Sequence, residues 1–498
     1  MRRAGRTGAN PRDGASIARP PGTVLAPRAQ WAIVGGLSVV SFLLLLDTTS
    51  VSVALPSIQR QLGFGFSALE WVVKVYTLVI AAITLLAGHL SDRAGAKRIF
   101  LAGLAIFIVG SVASGVAFNV SFLIASRAVQ GLGAGLVAPA SLALIATAFP
   151  DHRRGTALGV WAGVSASALG IGPLIGAAIT DTLGWNWIFL LNVPLGILAW
   201  LLAKFILPRP TPQPHGGRLD VWGAALSGAG LLSLLLALNQ TNGHGSTSTL
   251  PLLGVSILLF ILFILRERRI PSPLVDLTLF MNRIFAGANI VTLISTAVMC
   301  SLFFFLALYL QTVVGLTALQ SGATLLPLTL TIILVAPIAG RLGDRIGNRL
   351  LVVTGMVILA IGLLGMSQLG TGSNIVALMV WLTVTGFGIA LARTPTTTLA
   401  LGSAKDGTFG IAAGIFNSFQ AAGLALGISL MGLILTAFGP EAAFSREQSV
   451  AHHDAFIAGF STALGINSAI ALVGAATAFI LLRPSHRGVP RRKITAVR

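Results

Sequence analysis

Charge is what this sequence has least of. Of 498 residues only 9% are charged, against 55% hydrophobic, and the mean hydropathy is +0.89. A soluble domain carries about 25% charged residues, so this chain has too little polar surface to cover a core facing water. Cysteine is almost absent. Cys300 stands alone, which excludes intramolecular disulfides and cysteine-built metal clusters and leaves the redox compartment unread. The alternating ten-residue strands of an outer-membrane barrel are missing too, and so is a Walker-type phosphate loop that would make ATP a direct energy source. No Ser/His/Asp set or paired acids suggest catalysis, and the loops are short and chemically plain. The chain reads as a non-enzyme without a cofactor or a metal.

What it does have is apolar sequence in runs of roughly 18–28 residues, long enough as helices to cross about 30 Å of hydrocarbon. Fourteen spans are expected, at 31–55, 68–90, 99–118, 121–148, 156–180, 186–206, 221–239, 250–266, 285–310, 319–340, 350–369, 375–401, 408–437 and 459–482. The expected fold is therefore all-α and integral to the membrane, with 14 transmembrane helices. The first span is too long and too far along the chain for a cleaved signal peptide.

The net charge of +19 raises the question of nucleic acid. Its placement answers it. With the N-terminus inside, Lys and Arg in successive cytoplasmic segments count 6, 3, 2, 3, 4, 3, 1 and 6, whereas the outer segments hold only Arg60 and Arg446. Lys74, Arg127 and Arg393 lie within spans. This asymmetry is the positive-inside rule, and it puts both termini in the cytoplasm. Topology accounts for the basic excess, and no nucleic-acid partner is needed. An excess of arginine over lysine, with the Ala and Gly richness, fits a high-GC bacterial genome.

Residues 88–98 read GHLSDRAGAKR and residues 340–350 read GRLGDRIGNRL, an offset of 252 (340 − 88 = 252). At the same offset Gly155-Thr156 opens the fifth span and Gly407-Thr408 the thirteenth. Two landmarks with one offset imply duplicated halves, an arrangement that in transporters places the substrate site between the halves. The expected domains are a disordered tail at 1–30, a six-helix bundle at 31–206, a Pro-rich cytoplasmic linker at 207–220, an inserted helix pair at 221–266, a second six-helix bundle at 285–482 and a basic tail at 483–498.

The repeated loop has a mechanical reading. Gly88 and Gly340 permit close helix approach, Gly95 and Gly347 a tight turn, and Arg93, Lys97 and Arg98 meet lipid headgroups, with Arg345 in the matching loop counted with the gating residues. Asp92 is an acid among bases. It is expected to face the N-terminus of the thirteenth span, whose partial positive charge favours a carboxylate, and Asp344 to do the same toward the fifth. Contacts of that kind break when the inner side opens, so they bias a two-state gate. The plainer reading is a basic loop that merely obeys topology.

That loop resembles the signature of the major facilitator superfamily, and further segments resemble its 14-helix drug:proton antiporter family. They are Leu46-Asp47-Thr48 through Ala54-Leu55-Pro56, Trp71 with Tyr76, Arg127 through Gly135, Trp187-Ile188-Phe189 and Asn192-Val193-Pro194. Gly170-Ile171-Gly172-Pro173 with Gly176 resembles the motif of antiporters rather than symporters. The resemblance covers residues 30–482. It implies proton-driven export of drugs or other small organic molecules by alternating access, with a small-molecule substrate, protons and the bilayer as partners. The membrane implied is the bacterial inner membrane, and any periplasmic adaptor is left open.

A carboxylate in a span costs roughly 2.5–3.5 kcal/mol at the helix centre on insertion scales, so Asp47 is expected to serve a function. A proton and a cationic substrate could compete for it. Otherwise it is a cap near the outer interface, with Pro56 ending the helix soon after. Arg127 needs a partner by the same argument, and Asp47 is the candidate, with Gln130 one turn along. The resemblance implicates this arginine in proton transfer; the alternative is a structural ion pair. The glycines at 131–135 and the Gly172-Pro173 pair lie inside long apolar helices, which argues for helix packing rather than a phosphate loop.

Lys74 and Arg393 depart from the pattern. Facing a cavity with Trp71 and Tyr76 as an aromatic wall, they favour anionic or zwitterionic substrates. Alternatively Lys74 neutralises Asp47, and Arg393 snorkels to an interface. His89 is expected at a loop edge and His452-His453-Asp454 in a solvated outer loop. A dedicated exporter of an anionic metabolite or self-made antibiotic is the rival within this fold. A membrane receptor or membrane enzyme is the rival outside it.

Overall fold

A computed structural model describes residues 26–63, 66–207, 220–240, 246–270, 273–312, 314–368, 375–404, 408–438 and 450–483. Most of both expected tails and of the linker, and Gly407, lie outside the described residues. The rest is helical: α1 Pro27–Leu62, α2 Phe66–Leu90, α3 Ala96–Gly115, α4 Val120–Ala148, α5 Asp151–Thr182, α6 Asn186–Ile206, α7 Val221–Gln240 and α8 Ser246–Glu267. Then come α9 Arg283–Thr312, the short α10 Ala318–Thr324, α11 Leu326–Ile346, α12 Asn348–Ser367, α13 Ile375–Gly402, α14 Phe409–Phe438 and α15 Val450–Leu481.

Among the described residues 13 stretches are long and apolar enough to cross a membrane. One of them, Trp71–Gly115, is 45 residues long and takes in α2, the turn Ser91–Gly95 and α3. The turn depends on Gly95, whose φ of 94° suits a residue without Cβ. The chain is a multi-pass, all-α membrane protein.

Several boundaries differ from those read in the sequence. Helix α1 begins at Pro27 and runs past Pro56 to Leu62; the stop is Gly63, whose N–H bonds to the Gln59 carbonyl. Helix α5 begins at Asp151, not at residue 156. The tenth span divides into α10, opened by a Thr317–Gln320 capping box, and α11, which has Pro at its first turn. Helix α15 starts at Val450, so residues 452–454 are helical rather than loop; no Gly or Pro interrupts that stretch.

The packing is pseudo-symmetric. Helix α3 lies on α4 as α12 lies on α13, α1 on α5 as α9 on α14, α2 on α4 as α11 on α13, and α3 on α6 as α12 on α15. Positive-φ glycines repeat at the sequence offset: Gly63 with Gly315, and Gly95 with Gly347. Two seams join the sets, α2 against α14 and α5 against α11. Helix α7 packs on α8, α2 and α14, and an Arg266–Asp220 ion pair at 2.9 Å ties the ends of α7 and α8. Only 11% of the apolar stretch of α8 is buried, as suits a helix whose outer face meets lipid.

Candidate functional site

Asp47 is the centre of a buried polar cluster formed entirely within α1, α2, α3, α4 and α6. Arg127 Nη1 donates to Asp47 Oδ2 at 2.5 Å and to Gln130 Oε1 at 2.6 Å. Gln130 Nε2 donates to Asp47 Oδ1 at 2.9 Å and to Ser111 Oγ at 2.8 Å, and Asn192 Nδ2 donates to Asp47 Oδ1 at 2.8 Å. Arg127 Nε reaches the Val72 carbonyl at 3.2 Å, and its guanidinium carbon lies 4.1 Å from the centre of the Tyr76 ring. Asp47 is 1% exposed and Arg127 0%.

Two bare charges at this depth would each cost several kcal/mol in lost hydration; contact with each other and saturation of Asp47 by neutral donors offset that. One donor is left over, because Arg127 Nη2 is buried without a partner. The cluster is thus satisfied around the carboxylate and under-satisfied around the cation. Chemically it can hold an ionised carboxylate or, once a proton arrives, free the arginine to move. Asn192 and Phe189, whose ring centre is 5.7 Å from the Arg127 guanidinium carbon, belong to motif segments that the sequence reading leaves without a site role, and Ser111 belongs to none of them. The available signal was an asparagine and a serine inside otherwise apolar spans.

The glycine–proline motif of α5 lies directly behind Asp47. A Cβ on Gly172 would fall on Thr49 Oγ1, one on Gly176 would lie 2.7 Å from Ser50 Cα, and one on Gly170 would lie 2.9 Å from Thr329 Oγ1 of α11. Thr49 Oγ1 donates to the Ala168 carbonyl at 3.2 Å and Ser50 Oγ to the Gly172 carbonyl at 3.0 Å. Pro173 lies inside the same helix and removes one N–H from its ladder. Helices α1 and α5 are therefore locked together two and three residues beyond Asp47.

The two repeated loops sit at one end of the molecule, called here the motif end. Asp92 Oδ1 and Oδ2 each accept at 2.7 Å from the N–H groups of Gly410 and Ile411, the second and third residues of α14. Asp344 accepts from Gly155 N–H at 3.0 Å and from Thr156 N–H and Oγ1 at 2.9 Å each. Because α5 starts early, these are its fifth and sixth residues rather than its first turn. The helices cross at backbone distance: a Cβ on Gly88 would lie 2.3 Å from the Gly410 carbonyl oxygen, and one on Gly340 2.1 Å from that of Gly155. Gly95 and Gly347 both take positive φ and turn the chain away from these crossings. Lys97 does not reach for headgroups; it caps α6 by donating to the carbonyls of Lys204 and Leu207 at 2.7 and 2.6 Å. Arg345, with His152, Arg153 and Arg341, lines a basic cleft of about 240 Å³ beside the Asp344 contact. Arg93 is half-buried beside Asp92.

The expected aromatic wall is not assembled. Tyr76 is buried over Arg127, whereas Trp71 is 42% exposed, because five residues of helix turn the two to different faces. Asp47 is neutralised by Arg127, and Lys74, half-buried on α2, is not among its partners. Arg393 does not snorkel to an interface: residues 388–401 of α13 include none that is exposed, and its Nη1 rests 3.5 Å from Met299 Sδ of α9.

A pseudo-symmetric helical membrane protein with paired acid-to-helix contacts at one end has the construction of a transporter. The chain belongs to the Major Facilitator Superfamily, whose model matches residues 37–335 and 289–497. It is 30% identical to the tetracenomycin C resistance and export protein of Streptomyces glaucescens, over 93% of each chain. It is 33% identical to the puromycin resistance protein of Streptomyces alboniger, over 92% of each. The human organic anion transporter MFSD10 shares the fold, with a TM-score of 0.65 at 15% identity, covering 92% of this chain and 100% of that one. The protein is a small-molecule transporter of the multidrug-type branch of this superfamily, and its relatives place it with efflux systems rather than with enzymes.

Proposed function

We propose that this transporter is a proton-coupled antiporter of the 14-helix type that exports small organic molecules across the bacterial cytoplasmic membrane. Its spans form two six-helix bundles with α7 and α8 inserted between them, and both termini and the motif end lie in the cytoplasm. The observation that carries the reading is the Asp47–Arg127 pair, buried in a span and bonded to Gln130 and Asn192. A charge kept at that depth serves a function by default.

In this mechanism a proton from outside neutralises Asp47 and releases Arg127 from its partner. Helix α1 shifts against α5 at Thr49 and Ser50. Helix α5 carries the shift to Gly155 and Thr156, where Asp344 holds the seam. Loosening both aspartate contacts opens the motif end, and reclosing it returns the substrate site to the outside. The electrical part of the driving force is about 2.3 kcal/mol per charge per 100 mV. A second reading, a dedicated exporter of an anionic or zwitterionic compound, draws on Arg393, a cation deep in the second half.

The test uses everted membrane vesicles with an acid lumen and a pH-sensitive dye, to which puromycin, ethidium or carboxyfluorescein is added. Wild type is expected to release lumenal protons in response to at least one probe, and Asp47→Asn to give none. A proton flux indifferent to every probe, or full exchange by Asp47→Asn, defeats the assignment.

A further inference from the structure

The offset of 252 that relates the two halves carries Asp47 onto Met299 (299 − 47 = 252), which lies on α9, the counterpart of α1. The first half sets Arg127 of α4 against Asp47. The second half sets Arg393, on the counterpart helix α13, against Met299. The arginines themselves are not equivalent, since the same offset carries Arg127 onto Met379 (127 + 252 = 379) and Arg393 back onto Ser141 (393 − 252 = 141): the second half has its own cation at another level of the counterpart helix, and a thioether beside it.

A thioether sulfur is a weak acceptor and carries no charge. Among the described residues no acid pairs with Arg393; its one side-chain hydrogen bond is to Met299 Sδ at 3.5 Å. None of its nitrogens is buried without a partner, and Arg393 keeps part of its surface accessible. That surface does not face lipid, because α13 shows no exposed residue from 388 to 401. The remaining N–H groups therefore open on an interior space bounded by α9 and α13. Cys300, also partly accessible, borders the same space. A guanidinium presents its donors as a planar fork that fits a carboxylate or sulfonate through two parallel bonds.

We propose that Arg393 is an anion-binding residue, taking from the transported molecule the carboxylate or similar oxyanion that no described side chain supplies to it. The substrate class is then organic anions and zwitterions. This deepens the export reading and rests on it only for what the bound anion is used for.

The sole cysteine supplies a test that does not depend on transport. Cys300 in the purified full chain is labelled with 2-sulfonatoethyl methanethiosulfonate or with its 2-trimethylammonioethyl analogue, each rate being divided by that for a free thiol. The expected result is a preference of about tenfold for the anionic reagent, the size of local enrichment a focused charge produces. Arg393→Met is expected to abolish it and Arg393→Lys to keep most of it. Carboxyfluorescein should slow labelling of wild type and leave Arg393→Met unaffected. Equal normalised rates in wild type, or a preference that survives Arg393→Met, overturns the proposal. So does a Cys300 inert to both reagents in the folded chain but reactive after denaturation. A charge preference with no proton exchange in vesicles would leave the anion site standing and defeat the export reading.

Discussion

The two halves of this transporter share their seams and differ in their interiors. At the motif end the repeat is close: Asp92 holds Gly410 and Ile411 while Asp344 holds Gly155 and Thr156, and each crossing is glycine on glycine. The backs of the seams match as well. Gly172 and Gly176 of α5 press on Thr49 and Ser50, as Gly423 and Gly427 of α14 press on Leu293 and Ala297. Toward the middle the likeness ends. One half encloses Asp47 with Arg127, Gln130 and Asn192; the other has Met299 beneath Arg393. Two matching seams thus join interiors whose charged residues stand at different levels and in different company.

The sharpest way to break this comparison is to remove the arginine from each half. Arg127→Met strands Asp47 in a buried site and is expected to lower stability by about 3–5 kcal/mol, since half a buried pair is worse than none. Arg393→Met strands no carboxylate and should leave thermal unfolding in detergent within about 0.5 kcal/mol of wild type. Equal losses would show that Arg393 has an acid partner after all.

The seams should respond alike instead. Gly88→Val and Gly340→Val each drive a side chain into a backbone carbonyl of the opposing helix, and overpacking of that kind costs about 1–3 kcal/mol of the closed arrangement. Both are expected to raise protease access at the motif end and cut export about tenfold or more. A defect confined to one of them would mean that only one seam gates.

A milder cut is Asp92→Asn or Asp344→Asn, which trades a charged acceptor of two backbone N–H groups for a neutral amide with a single acceptor oxygen. A shift of about 1–3 kcal/mol is expected in each, read as the fraction of motif-end-open molecules by distance measurements between spin labels. Charge-preserving Asp→Glu should recover less than half of either loss, because the longer side chain misplaces the acceptors.

The smallest effect belongs to the inserted pair. Burial opposes the charge on Asp220, but hydrogen bonds from Arg266 and Gly223 N–H, with the charges of Arg266 and His89, hold its carboxyl below the usual carboxylate range. A depressed value stabilises fully above the unfolded pKa, about 3.9 for aspartate, and is lost as pH falls through the folded one. Asp220→Asn should therefore destabilise slightly near neutrality and flatten the acid limb of a melting-temperature profile. An unchanged acid limb would remove Asp220 from the account.

Much of this was legible in the sequence because its causes are local. Lipid demands long apolar runs, the two loops share an offset, and Asp47 and Arg127 were conspicuous as charges with no exit from a span. Ser111 stayed hidden, and Asn192 was visible only as a motif residue without a role, because small polar residues in helices usually bond their own ladder; only packing reveals that these two turn toward Gln130 and Asp47. The aromatic pair misled for the opposite reason, since closeness in sequence put Trp71 and Tyr76 on different faces. Pro56 looked like a terminator, yet the helix ends only where Gly63 supplies a left-handed cap. Met299 was uninformative as a methionine and became informative only once the fold set it against Arg393.

The central claim is that proton chemistry resides in the first half alone, and substrate-induced proton release tests it most directly. Purified transporter in weakly buffered detergent is mixed with carboxyfluorescein, ethidium or puromycin while a pH dye records protons liberated per chain. The account predicts about one proton at saturation for a transported probe, consistent with a single buried carboxylate at the site. Arg393→Met should reach the same plateau at higher concentrations of an anionic probe, and Asp47→Asn should give none. Release that persists in Asp47→Asn would contradict the account and place the proton elsewhere.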